Sequence, residues 1–337
     1  MSQFIIRRVL WMGVVLFAVS VITFVMMHTI PGGPFSFEKR LPERTIQQLN
    51  EKYNLNDPLV LQYMDYMGDI VVPRILTGTQ QRSLDHEYLV NVHLPFGDNA
   101  IFRWVNFGPS YKSISRSVND IFRENLPVSA QLGIMAVALS ACIGIPLGAI
   151  AALNRNTIYD YFGMSVAILG VSVPVIITAP ILQFIFGVEL HWLPMTGWGE
   201  FNQALLPVLA LGFSQSAVLA RLTRASLLQV LNEDYVRTAR AKGLTERMVV
   251  TRHVLKNGMI PVVTVLGPML AYTMTGTFVV ETIFGIPGMG KFFVTSITGR
   301  DYPVIMGTIL LMAILLVLAN VIVDILYIWL DPRIRYD

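Results

Sequence analysis

Gly285-Ile-Pro-Gly-Met-Gly-Lys291-Phe292 comes close to the phosphate-cradling loop of nucleotide-binding proteins. That loop needs a Ser or Thr after its lysine to hold Mg2+, and successive backbone N–H groups to wrap the phosphates. Phe292 offers no hydroxyl and Pro287 has no N–H. The stretch before it is apolar rather than a soluble strand. The segment therefore reads as a Gly/Pro turn at the membrane surface, and no cofactor is expected on this chain. Glu281 and Asp324 lie at the end of, or within, apolar stretches, where an ionisable group is a functional candidate by default. Asp324, one helical turn after Asn320, reads as a packing partner for a nearby Arg or Ser. Glu281 keeps both readings, packing partner and functional acid. His86 and His93 lack metal-ligand spacing, and no metal is expected. Neither H-E-x-x-H nor G-x-S-x-G occurs, which removes the commonest signatures of membrane enzymes. The single cysteine, Cys142, excludes an internal disulfide and a cysteine metal cluster. A catalytic role is not expected.

The remaining cluster is basic: Tyr235-Val-Arg-Thr-Ala-Arg-Ala-Lys-Gly-Leu244, immediately after Asp234. Arg237, Arg240 and Lys242 give it a positive collar. Ala239, Ala241 and Gly243 are small enough for another backbone to come close. Such a segment is a socket for a partner rather than a chemical site. Its alternative reading is an amphipathic connector held by anionic lipid headgroups. Asn232-Glu233-Asp234 can cap a helix starting near Tyr235, and Gly243 can end it. Thr245 can cap a second helix, with Glu246 in its first turn, where a negative charge suits the helix dipole.

The elements that must hold this segment are membrane spans. Of 337 residues, 54% are hydrophobic and 14% charged, against about 25% charged in a soluble domain. A net charge of +3 spread over short flanks is no nucleic-acid signature. A span needs roughly 20 apolar residues, and six stretches qualify: 9–30, 128–153, 161–188, 204–220, 258–280 and 304–330. The first is longer than a signal-peptide core and reads as a retained anchor. Backbone groups in lipid must be satisfied internally, so the spans are helices. Arg7, Arg8, Arg155, the basic run 221–257, and Arg333 and Arg335 all fall on one side of a six-span chain. The positive-inside rule makes that side, and both termini, cytoplasmic. Residues 31–127 are then external. Asp57 can cap a helix with Pro58 in its first position, and Leu59, Tyr63, Tyr66, Met67 and Ile70 share one face. Residues 71–106 lack a clear period and read as either a small β-rich insertion or a loop, with Tyr88, Phe96 and Trp104 as exposed-type aromatics. Their expected use is contact with an external partner; the alternatives are a cover for the pore mouth or a passenger loop.

Arg237-Thr-Ala-Arg-Ala-Lys-Gly243, followed by Arg252-His253-Val-Leu-Lys-Asn257 and Ile260-Pro261, resembles the cytoplasmic loop of ABC-importer permeases of the peptide/nickel branch. Leu55-Asn-Asp-Pro58, Phe107-Gly-Pro-Ser-Tyr111, Val280-Glu281-Thr-Ile-Phe-Gly-Ile-Pro287-Gly288, Arg300-Asp-Tyr-Pro303 and Asp331-Pro-Arg-Ile-Arg335 extend the likeness over nearly the whole chain, most of all to the branch's oligopeptide B-type subunits. Arg237 and Lys256 stand where the general pattern has Glu and Pro, both usual in the peptide branch. Residues 71–106 are longer than the family's pattern, and nothing about them carries over.

The resemblance implies an all-α membrane protein, a six-helix type I permease bundle with an external loop domain. Its parts are a cytoplasmic N-terminus and first span (1–30), an external region (31–127), and a core (128–337) with a coupling loop at 221–257. It implies a bacterial inner-membrane location and import of oligopeptides by alternating access. Dipeptides and nickel or a nickel chelate are alternative cargoes. The expected partners are a second homologous permease subunit, two cytoplasmic ABC ATPases that carry the ATP and Mg2+, an extracytoplasmic peptide-binding protein, and membrane lipid. The residues implied to dock the ATPase are Asp234, Tyr235, Arg237, Thr238, Ala239, Arg240, Ala241, Lys242, Gly243, Leu244 and His253. Glu281, Pro287 and Gly288 are candidates for an external gate. A secondary transporter or channel is the alternative of another class. It would carry inverted repeats and ionisable residues along its path, which the sequence does not display, and it would have no docking loop.

Overall fold

Ser117 and Asp120 show why the longest helix starts where it does. The Asp120 N–H bonds to Ser117 Oγ at 3.1 Å, and Asp120 Oδ2 accepts from the Ser117 N–H at 3.0 Å. This reciprocal cap launches α4 (Val118–Leu153), which begins well before the expected 128. The structure, a computed structural model, describes residues 2–35, 42–76, 88–93, 100–113 and 115–330. The motif 331–335, His86 and Phe96 lie outside the described residues.

Along the chain follow α1 (Ser2–Thr29), α2 (Glu43–Lys52), α3 (Leu59–Val71), β1 (Arg74–Leu76), β2 (Val90–His93), β3 (Ile101–Trp104), α4, α5 (Ile158–Ser172), α6 (Val175–Leu182) and a π turn over Gln183–Glu189. Next come α7 (Phe201–Leu231), α8 (Asp234–Ala241), α9 (Glu246–Val249), a π turn over Val250–Val254, and α10 (Leu255–Gly258). The last are α11 (Ile260–Met274), α12 (Phe278–Ile283), α13 (Gly290–Gly299) and α14 (Tyr302–Leu330).

Among the described residues, four helices are long and apolar enough to cross a membrane, within α1, α4, α7 and α14. Two bent pairs bring the number up to six if each is one span. Ile158–Ser172 and Val175–Glu189 meet at 101°, and Glu246–Gly258 and Ile260–Met274 at 48°. Pro174 and Pro261 stand at the two breaks, where a missing N–H and a fixed φ end a helix. α7 also departs from expectation: it continues to Leu231 instead of stopping near 220. Residues 221–231 hold no Gly or Pro, and Leu227 among them is fully buried, so nothing breaks the helix before Asn232.

The chain divides into two units. One comprises Met1–Trp11, Val128–Gly288 and Ile314–Asp337; the other comprises Met12–Pro127 and Met289–Ala313. In the first, small residues set the contact of α4 with α7. A Cβ on Gly144 or Gly148 would come within 2.5 Å of the Ser216 carbonyl oxygen or 2.4 Å of that of Ala220. This is a small-xxx-small contact of the kind that lets membrane helices approach. Leu132, Leu206, Leu211, Val280, Phe284 and Ile286 form its main core.

In the second unit, Phe24, Met27, Phe107, Ile121, Phe122 and Met306 are buried together, with Tyr63, Tyr66 and Ile70 of α3 packed against them. Leu59, expected on the same face, is exposed. The Asp57 cap does not form. Pro58 is the residue before the helix, and the Gln62 side-chain amide donates to the Leu55 and Asp57 carbonyls at 3.0 and 2.8 Å. The described part of 71–106 is an antiparallel sheet in the order β1-β3-β2, with Ile75 opposite Phe102 and Phe102 opposite Val92. Tyr88, expected to be exposed, is buried. Trp104 is exposed, and its indole N–H donates to the Val71 carbonyl at 3.1 Å.

Candidate functional site

The basic segment is a helix, α8, that displays its charge by burying its apolar side. Val236 and Ala239 lie in a core with Ala152, Leu227, Val249 and Val254. Tyr235, Arg237, Thr238, Arg240, Ala241, Lys242 and Gly243 are exposed, as is Asp234, whose carboxylate lies 3.6 Å from Arg237. Leu244 and His253 are half-buried. The expected reason for Ala239 needs correction: its smallness fits α8 onto the chain's own core, not a partner onto α8. Ala241 and Gly243 are the small residues of the outer face, and a Cβ at Gly243 would meet nothing within 4 Å.

The ends of α8 are fixed by the backbone and by one ion pair. No side chain caps its start. The Asn232 side-chain amide instead donates to the Leu228 carbonyl at 2.9 Å, closing α7. Gly243 ends the helix as expected, with φ of +77°, a conformation glycine adopts without a Cβ clash. Thr245 precedes α9 in an extended conformation, but its hydroxyl makes no cap. Glu246 does more than sit at a helix start. Its carboxylate accepts two bonds from the Arg240 guanidinium, at 2.7 and 3.1 Å, tying α8 to α9. Since both ends are solvated, that pair sets the angle of the two helices more than it adds stability.

The second candidate cluster surrounds Glu281 in α12, which is 2% exposed. Its Oε1 accepts from Ser129 Oγ at 2.7 Å and from the Thr277 N–H at 3.1 Å. Residues 285–288 turn back over this carboxylate. The Ile286 N–H bonds to the Glu281 carbonyl at 2.8 Å, and a Cβ on Gly288 would stand 2.4 Å from Glu281 Cδ. Gln183 links the end of α12 to the loop at Met195, donating to the carbonyls of Met195 and Ile283 at 2.7 and 3.1 Å. Glu281 and Gly288 thus form one packed unit. Pro287 lies in the turn between them, and the turn is shaped around the Glu281 side chain.

Asp324 has the packing partner expected of it, the guanidinium of Arg8. A further pair was not singled out from sequence: Asp160, 2% exposed, and Arg224. Arg224 Nε and a terminal nitrogen donate to the two Asp160 oxygens at 2.6 and 2.8 Å, and the Asn156 N–H adds a third bond at 3.0 Å. The available signal was charge at matching depth: an acid just before the expected start of one apolar stretch, and a base just beyond the expected end of another. His93 lies exposed on β2. Among the described residues, no three His, Cys, Asp or Glu side chains are grouped to hold a metal ion.

The motif-bearing helix, the broken spans and the turn over Glu281 coincide with a known protein type. The model of the binding-protein-dependent transport system inner membrane component family matches residues 144–336, and that of the corresponding membrane component's N-terminal region matches residues 1–84. The chain belongs to this family. It is 40% identical to the dipeptide transport system permease protein DppB of Bacillus subtilis over 99% of this chain and 98% of that one. It is also 40% identical to the oligopeptide transport system permease protein OppB of Escherichia coli over the full length of both. Among solved structures, an inward-facing MetNI methionine ABC transporter superposes with a TM-score of 0.51 at 16% identity, covering 63% of this chain and 96% of that one. That likeness establishes the fold, the helical bundle of ABC-importer permeases. This inner membrane component is therefore a transport subunit, and the family's description makes a binding protein part of its system.

Proposed function

We propose that the chain is the transmembrane subunit of an ATP-driven importer that brings oligopeptides into the cytoplasm by alternating access. The observation that carries the reading is α8: a helix anchored by Val236 and Ala239, presenting Tyr235, Arg237, Thr238, Ala241 and Lys242 outward. A rigid, charged helix fixed to the bundle core can take up the motion of a partner and pass it to the spans, as in hinge and shear switching. In this reading two ABC ATPases supply ATP and Mg2+, one of them docking on α8, with Leu244 and His253 at the edge of the contact. A second, homologous permease subunit completes the path. An extracytoplasmic peptide-binding protein delivers the cargo, and the described sheet of 71–106 belongs to the face it meets. Both termini are cytoplasmic. The chain itself hydrolyses nothing.

Glu281, Pro287 and Gly288 form the external gate of this reading, a turn whose shape depends on one buried carboxylate. A dipeptide cargo is favoured by a specific observation as well, because the Bacillus subtilis relative at the same 40% identity is named a dipeptide permease. Uptake of labelled di-, tri- and pentapeptides, with nickel as control, in cells lacking and regaining this chain decides between them. Restored pentapeptide uptake supports the oligopeptide reading. Restoration of dipeptides alone selects the second reading, and restoration of nickel alone overturns both.

A further inference from the structure

Two cavities in the unit formed by Met12–Pro127 and Met289–Ala313 share Phe24 and His28, near the C-terminal end of α1. The first, of about 150 Å³, is walled by Tyr53, Tyr66, Tyr111, Tyr302 and those two rings. Four of the rings form a series, with centroids 5.0 Å apart from His28 to Tyr302, 6.4 Å from Tyr302 to Tyr111, and 4.6 Å from Tyr111 to Tyr53. Asp65 and Asp69 add carboxylates, and among the described residues no Lys or Arg lines the space. Arg74 engages one oxygen of Asp69, whereas Asp65, which is exposed, has no ion pair among the described residues. The Tyr66 hydroxyl oxygen is buried there with no hydrogen-bond partner among the described residues. Burial pushes the Tyr66 and Tyr111 hydroxyls well above the usual phenol range, so their rings stay neutral. Neutral π faces, a carboxylate and an unused phenol oxygen together recognise an organic ammonium ion.

The second cavity, of about 270 Å³, is a groove between α1 and α3 lined by Val21, Phe24, Val25, Leu59, Val60 and Tyr63, with His28 and Thr29 completing it. Val25, Leu59 and Val60 are exposed. The α1 wall of the groove belongs to the candidate span Leu10–Thr29, so lipid hydrocarbon is continuous with it. An apolar chain fits such a groove, and the tail of a soluble ligand does not.

We propose that the two cavities form one binding site for an aminophospholipid of the phosphatidylethanolamine type. Its primary ammonium sits among the rings, Asp65 and the Tyr66 oxygen, and an acyl chain lies between α1 and α3. The ammonium supplies three donors, which meet the Tyr66 oxygen and the Asp65 carboxylate, and the tail covers apolar surface of α3 that is otherwise open. The lipid then clasps α3, and with it the sheet behind α3, to the membrane. A peptide's α-ammonium shares the headgroup chemistry but has no tail for the groove, which separates the two sources experimentally.

The test uses the purified full chain with its subunits in nanodiscs, and measures by native mass spectrometry which lipids stay bound after detergent release. Phosphatidylethanolamine should be retained over phosphatidylglycerol by about tenfold, the scale of one charged hydrogen bond lost. Asp65→Asn and Tyr66→Phe should each remove most of that preference, and Val25→Trp, which fills the groove, should lower retention of both lipids. Unchanged melting of each variant controls for folding. Equal retention of the two lipids, or a preference that survives Asp65→Asn, overturns the site. Asp65-dependent retention of a labelled tripeptide in place of phosphatidylethanolamine also overturns it, by giving the ring cavity to a soluble ammonium ligand.

Discussion

Replacing Arg224 by Ala should destabilise the α5–α7 contact, and its cost follows from the geometry. Asp160 keeps 3% of its side chain exposed and Arg224 27%. Arg224→Ala removes both guanidinium bonds and leaves the carboxylate with the Asn156 N–H alone. Breaking such a pair from one side costs about 2–3 kcal/mol, below the range for a fully buried pair, because truncating the part-exposed Arg224 lets water reach some of the orphaned charge. Arg224 is the wetter partner, so Asp160→Asn should cost less, about 1–2 kcal/mol: the freed guanidinium can turn toward solvent on its long stem. The double variant removes the orphan altogether. Its cost should fall short of the two single costs added together by about 2 kcal/mol, the coupling expected of contacting charges. Unfolding of the purified chain in mixed micelles, followed by circular dichroism, measures all three. Additivity within about 0.5 kcal/mol, or a cost for Arg224→Ala below that of Asp160→Asn, refutes the picture of a buried carboxylate held by one arginine.

The two small residues of α8 should separate by face. Ala241→Trp, on the exposed side, should leave the chain inserted and as stable as before but abolish ligand-stimulated ATP hydrolysis by the assembled complex. Ala239→Trp should instead lower the yield of folded chain, because about 1–3 kcal/mol is the usual cost of overpacking a core. Normal coupling in Ala241→Trp would remove α8 from the contact. At the turn, Gly288→Ala should destabilise and slow import, since its Cβ meets Glu281 at 2.4 Å. Glu281→Gln should be milder, because its carbonyl oxygen can still accept from Ser129 and Thr277; a more damaging Glu281→Gln would mean that the charge itself is used. In a Cys142→Ala background, cysteines at His191 and Thr298 should react with impermeant reagents from outside intact cells, and one at Thr245 should not. Labelling at 245 would reverse the orientation.

What the sequence made legible was whatever depends on one stretch of chain at a time. Hydropathy located the spans, because hydrocarbon thickness sets a length that an apolar run either reaches or misses. Proline alone did not locate the breaks: Pro174 and Pro261 stand at them, but Pro146, Pro180, Pro207 and Pro268 lie inside continuous helices, where packing tolerates the missing N–H. Gly243 did locate the end of α8, because the backbone conformation found there is one that glycine supplies cheaply. Caps were less legible. Asn232, Asp57 and Thr245 have the side chains for capping, yet Asn232 turns back to Leu228, Gln62 reaches the backbone around Asp57, and the Thr245 hydroxyl makes no cap.

What stayed hidden was every feature settled between distant stretches. An alanine in a basic helix looks the same whether it faces a partner or its own core, and only the positions of Leu227, Val249 and Val254 decide that Ala239 faces inward. Asp160 and Arg224 are 64 positions apart, and neither charge advertises its partner until α7 is seen to run on past the expected end of the span. Glu281 is the instructive middle case. Its place at the end of an apolar run marked it as worth explaining, but two readings were open because an acid there either conducts function or holds a shape. The contacts show the packing role. The carboxylate is bonded to Ser129 and Thr277, and Gly288 is glycine because the same carboxylate leaves no room for a methyl group. A turn shaped around one buried carboxyl group can be rigid and still serve as the proposed gate. In the proposed gate, moving the turn would break several bonds to one side chain at once, as a two-state element does rather than a gradual one.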